Sequence, residues 1–432
     1  MATPVRAGRG ARPYDTEKQC TVDLQPSMPK PSHLHPADLH SFSRLAVDAV
    51  AGLTDLVEAM HGTIAGAPMP LGKAPSGRTR GITGLVYRSI RGVTRLVGGG
   101  LDATLGRLAP LLGEAAASPE REAVLAALNG VLGDYLEASG NSLAIRMSLR
   151  RGGETLRLER AALAAAIPDP GGRLLVMAHG LCMNDLQWAR QGHDHGAALE
   201  RDLGFTAVYL HYNSGRHIST NGRELADLLE GLLGAWPVPV EELAVVGHSM
   251  GGLLARTAWH LGRAAGHSWP QRLTKLVFLG TPHHGAPMER GGNWIDVALG
   301  LSPYTAPLAR LGRIRSAGIT DLRHGLLLDE DWRGRDRFAR PAARPTALPL
   351  PEGVLCSAIA ATTGARTGDL KDRLVGDGLV PVVSALGRGA GPDRDLMIPP
   401  DRQWIAYQTS HLELLHAPGV YDHLARWLAE GA

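Results

Sequence analysis

Apolar and polar positions follow one period in the first third of this chain and a different one after it. Three early stretches space their apolar residues by three or four positions, as one face of a helix does: Leu45 to Met60, Gly84 to about Leu108, and a stretch that starts at Ser118 and Pro119. Ser118 suits the N-cap of the third helix, and Pro119 suits its first position. The pattern predicts a helical extension over residues 41–140. Residues 1–40, rich in proline, serine and charge, are expected to be loosely ordered.

Beyond residue 140, short apolar runs alternate with helical patterns. An entry hairpin is predicted from Leu143 to Leu149 and from Glu154 to Leu158, joined through two glycines. The strands predicted after it are Arg173–Ala178, Phe205–Leu210, Leu243–Val246, Leu273–Leu279, Val354–Ala360 and Gln403–Tyr407. The helices predicted between and after them are Gly222–Leu233, Met250–Leu261 and Val420–Ala429. Strands that alternate with helices predict a mostly parallel, doubly wound α/β sheet over residues 141–432.

The strand pattern stops for about seventy residues after Thr281. Two short helices are predicted in this interval, at Ala306–Arg315 and Asp321–Leu328, among many arginines and prolines. An insertion at this point would overhang the ends of the preceding strands. We therefore expect a cap or lid at about residues 288–351.

Composition and charge exclude several classes of protein. The 432 residues carry 45 basic and 42 acidic side chains, a net charge of +3, without a block of like charge, so a nucleic acid partner is not expected. No apolar h-region or run of 18 apolar residues occurs, so neither a signal peptide nor a spanning helix is predicted. Cys20, Cys182 and Cys356 are far apart and lack metal-ligand spacing. We expect a cytoplasmic protein without a metal or an organic cofactor.

The helical extension allows two interpretations. The stretch from Gly84 to about Leu108 is amphipathic and bears arginines, so it is suited to a peripheral contact with a membrane or lipid surface. Such helices more often pack against the neighbouring domain or against a second copy of the chain. We favour this second interpretation, which leaves oligomer formation open.

One strand, turn and helix in the middle of the chain carry the main chemical signal. Four apolar residues, Leu243 to Val246, lead into Gly247-His248-Ser249-Met250-Gly251, and a helical pattern follows at once. This context is typical of a nucleophile elbow, in which glycines on both sides of the serine avoid steric collisions. A serine between glycines is otherwise an ordinary turn residue. We predict that Ser249 presents an exposed hydroxyl at a helix N-terminus, where the helix field favours negative charge.

A second loop after a strand provides candidate donors for an oxyanion. His179-Gly180-Leu181 directly follows the strand Arg173–Ala178. A glycine there permits a tight turn, so that the backbone N–H of Leu181 and that of Met250 can point at the same oxygen.

Two further loops provide a candidate acid and a candidate base. Asp377 lies between Gly376 and Gly378, after the last strand but one, with Asp369 and Asp372 as rivals in more polar, helix-like surroundings. His411 follows the last strand, and its rivals, His416 and His423, fall within the helical tail. An aspartate between glycines is most often a turn residue, and a lone histidine is most often structural. The order Ser249, Asp377, His411 nevertheless matches the triad order of the α/β-hydrolase fold.

On these residues the chain resembles the α/β-hydrolase serine esterases and lipases, most closely the bacterial lipase-like group related to GPI-inositol deacylases. The motifs that carry the resemblance are His179-Gly180-Leu181, Gly247–Gly251, Gly280-Thr-Pro-His-His-Gly285, Gly376-Asp-Gly-Leu-Val-Pro381 and Ser410-His411. The resemblance covers residues from about 143 to the C-terminus. It implies an α/β-hydrolase fold with Ser249, His411 and Asp377 as the triad, and with His283 and His248 near the pocket.

The resemblance implies hydrolysis of a lipid or small-molecule ester with an apolar acyl group. His411 would activate Ser249, Asp377 would orient His411, and an acyl-enzyme would form and then react with water. His283 is a less suitable base because it comes too early in the chain. Two alternatives remain: an acyltransferase or thioesterase that uses the same triad, and a non-catalytic homologue that binds a lipid or a protein.

Overall fold

An eight-stranded sheet forms the centre of the protein. The computed structural model describes residues 119–286, 316–335, 345–365, 376–389 and 394–431. The strands are β1 Ser148–Arg151, β2 Glu154–Thr155, β3 Arg173–Ala178, β4 Thr206–His211, β5 Glu242–His248, β6 Leu273–Leu279, β7 Leu355–Thr362 and β8 Gln403–Tyr407. They lie in the order β2-β1-β4-β3-β5-β6-β7-β8. Only β1 pairs antiparallel with its neighbours β2 and β4, so the predicted mostly parallel α/β sheet is confirmed.

Helices cover both faces of the sheet. Within the described residues they are α1 Pro119–Ala138, α2 Arg160–Ala166, α3 His195–Leu203, α4 Ile218–Ala235, α5 Met250–Ala264, α6 Ala317–His324, α7 Asp329–Trp332, α8 Val382–Ala385 and α9 Pro418–Ala429. Side chains alternate across each strand. In β3, Leu174 and Val176 therefore join the core that contains α1, α4 and α5, while Leu175 and Met177 join the core that contains α3 and α9.

Several predicted elements have different bounds. The entry hairpin is shorter than predicted, because residues 143–147 form no strand although Leu143 and Met147 are buried in the core. Their apolar spacing reflects burial rather than β-pairing. In the expected cap, α6 and α7 take the place of the predicted helix Asp321–Leu328, and Gly325 in the left-handed conformation ends α6. The predicted helix Ala306–Arg315 and most of the cap lie outside the described residues.

Helix α1 is part of the main hydrophobic core. It begins at Pro119, as predicted, and most of its residues are buried, including Leu128, Val131 and Leu136. The buried Asn129 side chain donates to the Leu143 carbonyl at 2.7 Å and accepts from the Ile145 N–H at 2.9 Å, which ties α1 to the chain before β1. The loosely ordered segment 1–40, the helices predicted within residues 45–108 and the proposed membrane contact lie outside the described residues. The boundary proposed at residue 140 stays a prediction.

No helix in the described ranges is both long enough and apolar enough to span a bilayer. Cys182 and Cys356 are free and buried, and burial raises the pKa of each thiol to about 12. Both are therefore inert thiols at neutral pH.

Four buried histidines lead us to expect a loss of stability in mild acid. Burial lowers the pKa of His179 to about 3 and that of His195 to about 4, and it lowers the pKa of His248 and His283 well below the ordinary value of 6.5. Below pH 6.5 the unfolded chain takes up protons that the native state does not, so the free energy of unfolding falls as the pH falls. Each histidine contributes up to about 1.4 kcal/mol per pH unit between its two pKa values.

Urea unfolding at pH 7.5, 6 and 5 measures this dependence. His195→Gln is the matched variant, because a glutamine amide can still donate to the Leu414 carbonyl, which His195 Nε2 contacts at 3.0 Å. We expect a shallower pH dependence for this variant than for the wild type. Equal unfolding free energies at pH 7.5 and pH 5 in the wild type would contradict the prediction.

Candidate active site

The turn between β5 and α5 has the geometry of a nucleophile elbow. Ser249 has φ 54° and ψ −120°, a backbone conformation that residues other than glycine rarely adopt. The backbone is packed tightly on both sides of it. A Cβ atom on Gly251 would lie 2.2 Å from the Ala178 carbonyl oxygen, and one on Gly247 would lie 2.5 Å from the Gly252 Cα atom. The predicted strand, sharp turn and helix are present, and the strain is concentrated at the serine.

The Ser249 hydroxyl is buried, so the prediction that it is exposed is wrong. The residue is 1% exposed, and its Oγ atom forms no hydrogen bond within the described part of the chain. The loop after β3 lies directly against it: a Cβ atom on Gly180 would be 3.0 Å from the Ser249 Cβ atom. The glycine pattern of the sequence predicts the turn, but the cover over the turn depends on packing by distant loops.

Asp377 and His411 form a buried pair at the carboxyl ends of β7 and β8. His411 Nδ1 lies 2.6 Å from Asp377 Oδ2, and the two side chains are 4% and 0% exposed. The other carboxylate oxygen, Oδ1, accepts from the N–H groups of Leu379 at 3.0 Å and Val380 at 2.8 Å. The His411 N–H also donates to the Asp377 carbonyl at 3.1 Å. These four contacts fix the carboxylate and the imidazole relative to each other.

The pair lies beside the elbow. The ring of His248, the residue before Ser249, is 4.6 Å from the ring of His411, and its Nε2 donates to the His411 carbonyl at 3.1 Å. A Cβ atom on Gly280, at the end of β6, would lie 3.0 Å from the His411 imidazole. Burial, with His411 as a second cause, holds the pKa of His248 well below its usual value, so His248 is neutral and acts as a hydrogen-bond donor.

The rival residues do not take these places. His423 Nδ1 contacts the Gly419 carbonyl at 2.9 Å within α9, and His416 follows a turn of 3₁₀-helix at Glu413–Leu415. Asp369 and Asp372 lie outside the described residues. The structure therefore brings Asp377 and His411 together as predicted, whereas their catalytic roles stay predictions.

The candidate oxyanion donors flank the serine. Leu181 follows Gly180, which packs against Ser249, and Met250 is the first residue of α5. The N–H of a first helical residue has no partner within its helix, so the Met250 N–H is available to a ligand. The assignment of both N–H groups to an oxyanion hole stays a prediction.

His179 braces the loop that carries Leu181. Its Nδ1 donates to the Gly180 carbonyl at 2.9 Å, and its ring stacks on Tyr212 with the centroids 4.4 Å apart. The Tyr212 hydroxyl in turn donates to the His179 carbonyl at 3.0 Å. Because burial lowers the pKa of His179 to about 3, the ring is neutral at pH 7. The geometry fits a supporting role for His179 in the oxyanion loop.

The family model described as "PGAP1-like alpha/beta domain" matches residues 169–348, which include β3 to β6 and the elbow. The mostly parallel sheet and the strained serine between β5 and α5 agree with this match. The described residues therefore have the α/β-hydrolase fold. No curated protein matches its sequence.

The solved structures that are similar to this chain are distant from it. The mature form of the lipase BlEst2 from Bacillus licheniformis aligns with a TM-score of 0.39 and 16% identity, over 65% of this chain and 98% of that one. The Pyrococcus furiosus esterase Pf2001 aligns with a TM-score of 0.35 and 12% identity, over 60% of this chain and 80% of that one. Aspergillus fumigatus lipase B aligns with a TM-score of 0.36 and 12% identity, over 63% and 57% of the two chains.

Helix α1 contacts the loop that carries Leu181, and the sequence did not predict this contact. A Cβ atom on Gly130 would lie 2.1 Å from the Cys182 Sγ atom, and Cys182 has a φ of 59°. The Cys182 N–H donates to the Ser214 hydroxyl at 3.0 Å. Helix α1 therefore presses directly on the residue after Leu181. The two glycines at 130 and 133 were the available signal, but a glycine in a helix does not reveal what it faces.

A buried charged cluster supports the same loop, and the sequence did not predict it either. Arg150 Nη1 lies 2.8 Å from Glu122 of α1 and 3.3 Å from Asp185, which follows the loop that carries Leu181. His211 lies 3.1 Å from Asp185. Burial opposes ionisation of Asp185, but His211 and Arg150 outweigh it, so the pKa of Asp185 is lowered. These four residues are far apart in the sequence and carry no shared local signal.

His283, predicted to line the pocket, contacts Arg256, a buried residue that the sequence analysis did not single out. Arg256 of α5 is 2% exposed, and its Nη1 donates to His283 Nδ1 at 2.9 Å. An arginine in the otherwise apolar stretch from Leu253 to Trp259 was the sequence signal for this contact. His283 therefore lies in a buried polar group beside α5, apart from the Asp377–His411 pair.

Proposed function

We propose that this protein is a serine carboxylester hydrolase, an esterase or lipase that forms an acyl-enzyme on Ser249. The proposal depends on one observation above all, the buried contact of 2.6 Å between His411 and Asp377 beside a strained serine. A carboxylate held by two backbone N–H groups and paired with an imidazole is the arrangement that a general base requires. The buried apolar side chains of Leu181 and Met250 next to these groups favour an apolar acyl group in the substrate.

The proposed reaction has two steps. His411 Nε2 accepts the Ser249 proton as Oγ attacks the ester carbonyl carbon, and the Leu181 and Met250 N–H groups bind the oxyanion. The C–O bond to the alcohol breaks, and His411 returns the proton to the leaving oxygen. Water then attacks the acyl-enzyme with His411 as base, which releases the carboxylic acid and restores Ser249. Asp377 keeps the Nδ1–H tautomer of His411 and stabilises the imidazolium in both steps.

Labelling with a fluorophosphonate tests the proposal. We expect one phosphonyl group per wild-type chain, located on Ser249 by peptide mass spectrometry, because only an activated serine attacks this reagent at a useful rate. The Ser249→Ala variant should remain unlabelled. The matched control is Thr257→Val, which changes a buried hydroxyl on the same helix that has no catalytic role here and should label as the wild type does. Labelling of Ser249→Ala at the wild-type rate would exclude Ser249 as the nucleophile.

A further inference from the structure

A cavity lies beside α5, and none of the candidate triad residues lines it. Its volume is about 320 Å³, and its walls come from α5, the loop after β6, residues 325 and 327, residues 345–350 and residues 394–396. Ser249, Asp377 and His411 are not among its lining residues. Arg256 is seven residues after Ser249, about 10 Å further along the helix axis. The cavity is therefore near the elbow but separate from it.

Arg256 lines this cavity and is a buried cation without a carboxylate partner among the described residues. Its Nη1 donates to His283, its Nη2 donates to the Leu348 carbonyl, and its Nε has no hydrogen-bond partner in the described ranges. Among the described residues, no carboxylate contributes to the shift of its pKa. Burial lowers its pKa only to about 10, so it stays charged at pH 7. A buried charge of this kind is costly unless an anion compensates it.

His283 adds a second buried donor to the same cavity. Because Arg256 donates to Nδ1, that nitrogen must be the acceptor, and the proton of the neutral ring is on Nε2. Burial and the neighbouring Arg256 keep the pKa of His283 well below its usual value, which agrees with a neutral ring. The Nε2 atom is buried and has no partner among the described residues. A ligand that offers only acceptor atoms would satisfy both Arg256 and His283.

The remaining charged groups of the cavity also favour an anion. Arg394 and His284 line it together with Arg256 and His283, and Asp395 is its single acidic lining residue. One oxygen of Asp395 already accepts from the Met397 N–H at 2.8 Å. Two arginines therefore face one carboxylate. A tetrahedral anion can accept hydrogen bonds from several directions at once, which suits donors on different walls better than a planar carboxylate does.

We propose that this cavity binds a phosphate group, held by the Arg256 and Arg394 guanidinium groups and by the His283 Nε2–H. The volume exceeds that of a phosphate ion and leaves room for the group that the phosphate is attached to. The phosphate belongs either to a small soluble ligand or to a lipid headgroup. The site is independent of ester hydrolysis and stands whether or not Ser249 is a nucleophile.

Calorimetric titration of the full-length protein with inorganic phosphate at low ionic strength tests whether the ligand is a small soluble phosphate. Binding to phosphatidylcholine vesicles, with and without phosphatidate, tests whether it is a lipid headgroup. Vesicles that contain oleate control for negative charge. The Arg394→Gln variant should bind phosphate or phosphatidate vesicles at least about tenfold more weakly than the wild type, because it loses a charge-assisted contact. Arg388→Gln, an exposed change outside the cavity, is the matched control and should bind as the wild type does.

The outcomes separate the two sources. Saturable binding of inorganic phosphate that Arg394→Gln weakens supports the site with a soluble ligand. Binding only to phosphatidate vesicles, weakened in the same variant, supports it with a lipid headgroup. Arg256→Gln should have the larger effect, and Arg394→Gln keeps the test valid if loss of the buried arginine prevents folding. No binding in either arm, equal binding by wild type and Arg394→Gln, or equal binding of oleate vesicles would overturn the proposal.

Discussion

Replacing Ser249 with alanine is expected to lower kcat/KM for a carboxylic ester by about 10⁴-fold or more and to leave the protein at least as stable as the wild type. The loss of activity follows from the proposed covalent step, because the remaining hydrogen-bond donors alone give only residual catalysis. Turnover of a p-nitrophenyl ester series, from short to long acyl chains, measures the first effect. Urea unfolding of the same two proteins measures the second.

The expected stability of Ser249→Ala has a different physical cause from its loss of activity. The Ser249 Oγ atom is buried without a hydrogen-bond partner within the described part of the chain, and such a group typically costs about 1–3 kcal/mol. Alanine removes that oxygen and keeps the Cβ atom, so the backbone strain at φ 54° remains. Removal of the hydroxyl should therefore raise the free energy of unfolding of the variant by about 1 kcal/mol.

Thr257 on α5 provides the matched control for both measurements. It is fully buried, and its Oγ1 atom likewise has no hydrogen-bond partner among the described residues. Thr257→Val keeps the shape of the side chain, so it should raise the free energy of unfolding and leave turnover unchanged. Turnover of Ser249→Ala within tenfold of the wild type would contradict the proposed nucleophile. A clear loss of stability in Ser249→Ala would show that the hydroxyl has a structural role.

The parts of the site that the sequence predicts are those with a local signal. The elbow is recognisable because a buried strand, two glycines and a helix follow one another within about twenty residues, and each is required by sterics at the turn. Asp377 and His411 are recognisable from their places after consecutive strands, since the carboxyl ends of parallel strands meet at one edge of a sheet. The helix α3 was not predicted: its nine residues bury only one large apolar side chain, Leu199.

The parts that could not be predicted depend on contacts between distant segments. Gly130 of α1 lies against Cys182, and Arg150 joins Glu122 to Asp185, so the loop that carries Leu181 is supported by a helix that precedes the sheet. The burial of Ser249 has the same origin. Hydrophobic periodicity tells which face of an element is buried, but it does not tell which other element covers that face.

Replacing Asp377 with asparagine is expected to reduce kcat by about 10⁴-fold with little effect on folding. The amide has nearly the same shape, and its oxygen can still accept from the Leu379 and Val380 N–H groups that now bind Oδ1. Its NH₂ group then faces His411 Nδ1, which must become the acceptor. The proton moves to Nε2, and this tautomer cannot accept the proton of Ser249.

The pH profile distinguishes this effect from a merely structural one. A wrong tautomer leaves a slow reaction that rises steeply with pH, as hydroxide replaces the missing base, whereas a distorted loop lowers the rate equally at every pH. Asp369→Asn and Asp372→Asn, the rival acids, are the matched controls and should keep the wild-type kcat. If either rival variant loses activity while Asp377→Asn retains it, the buried contact between Asp377 and His411 is structural, and the triad acid lies elsewhere in the loop before β8.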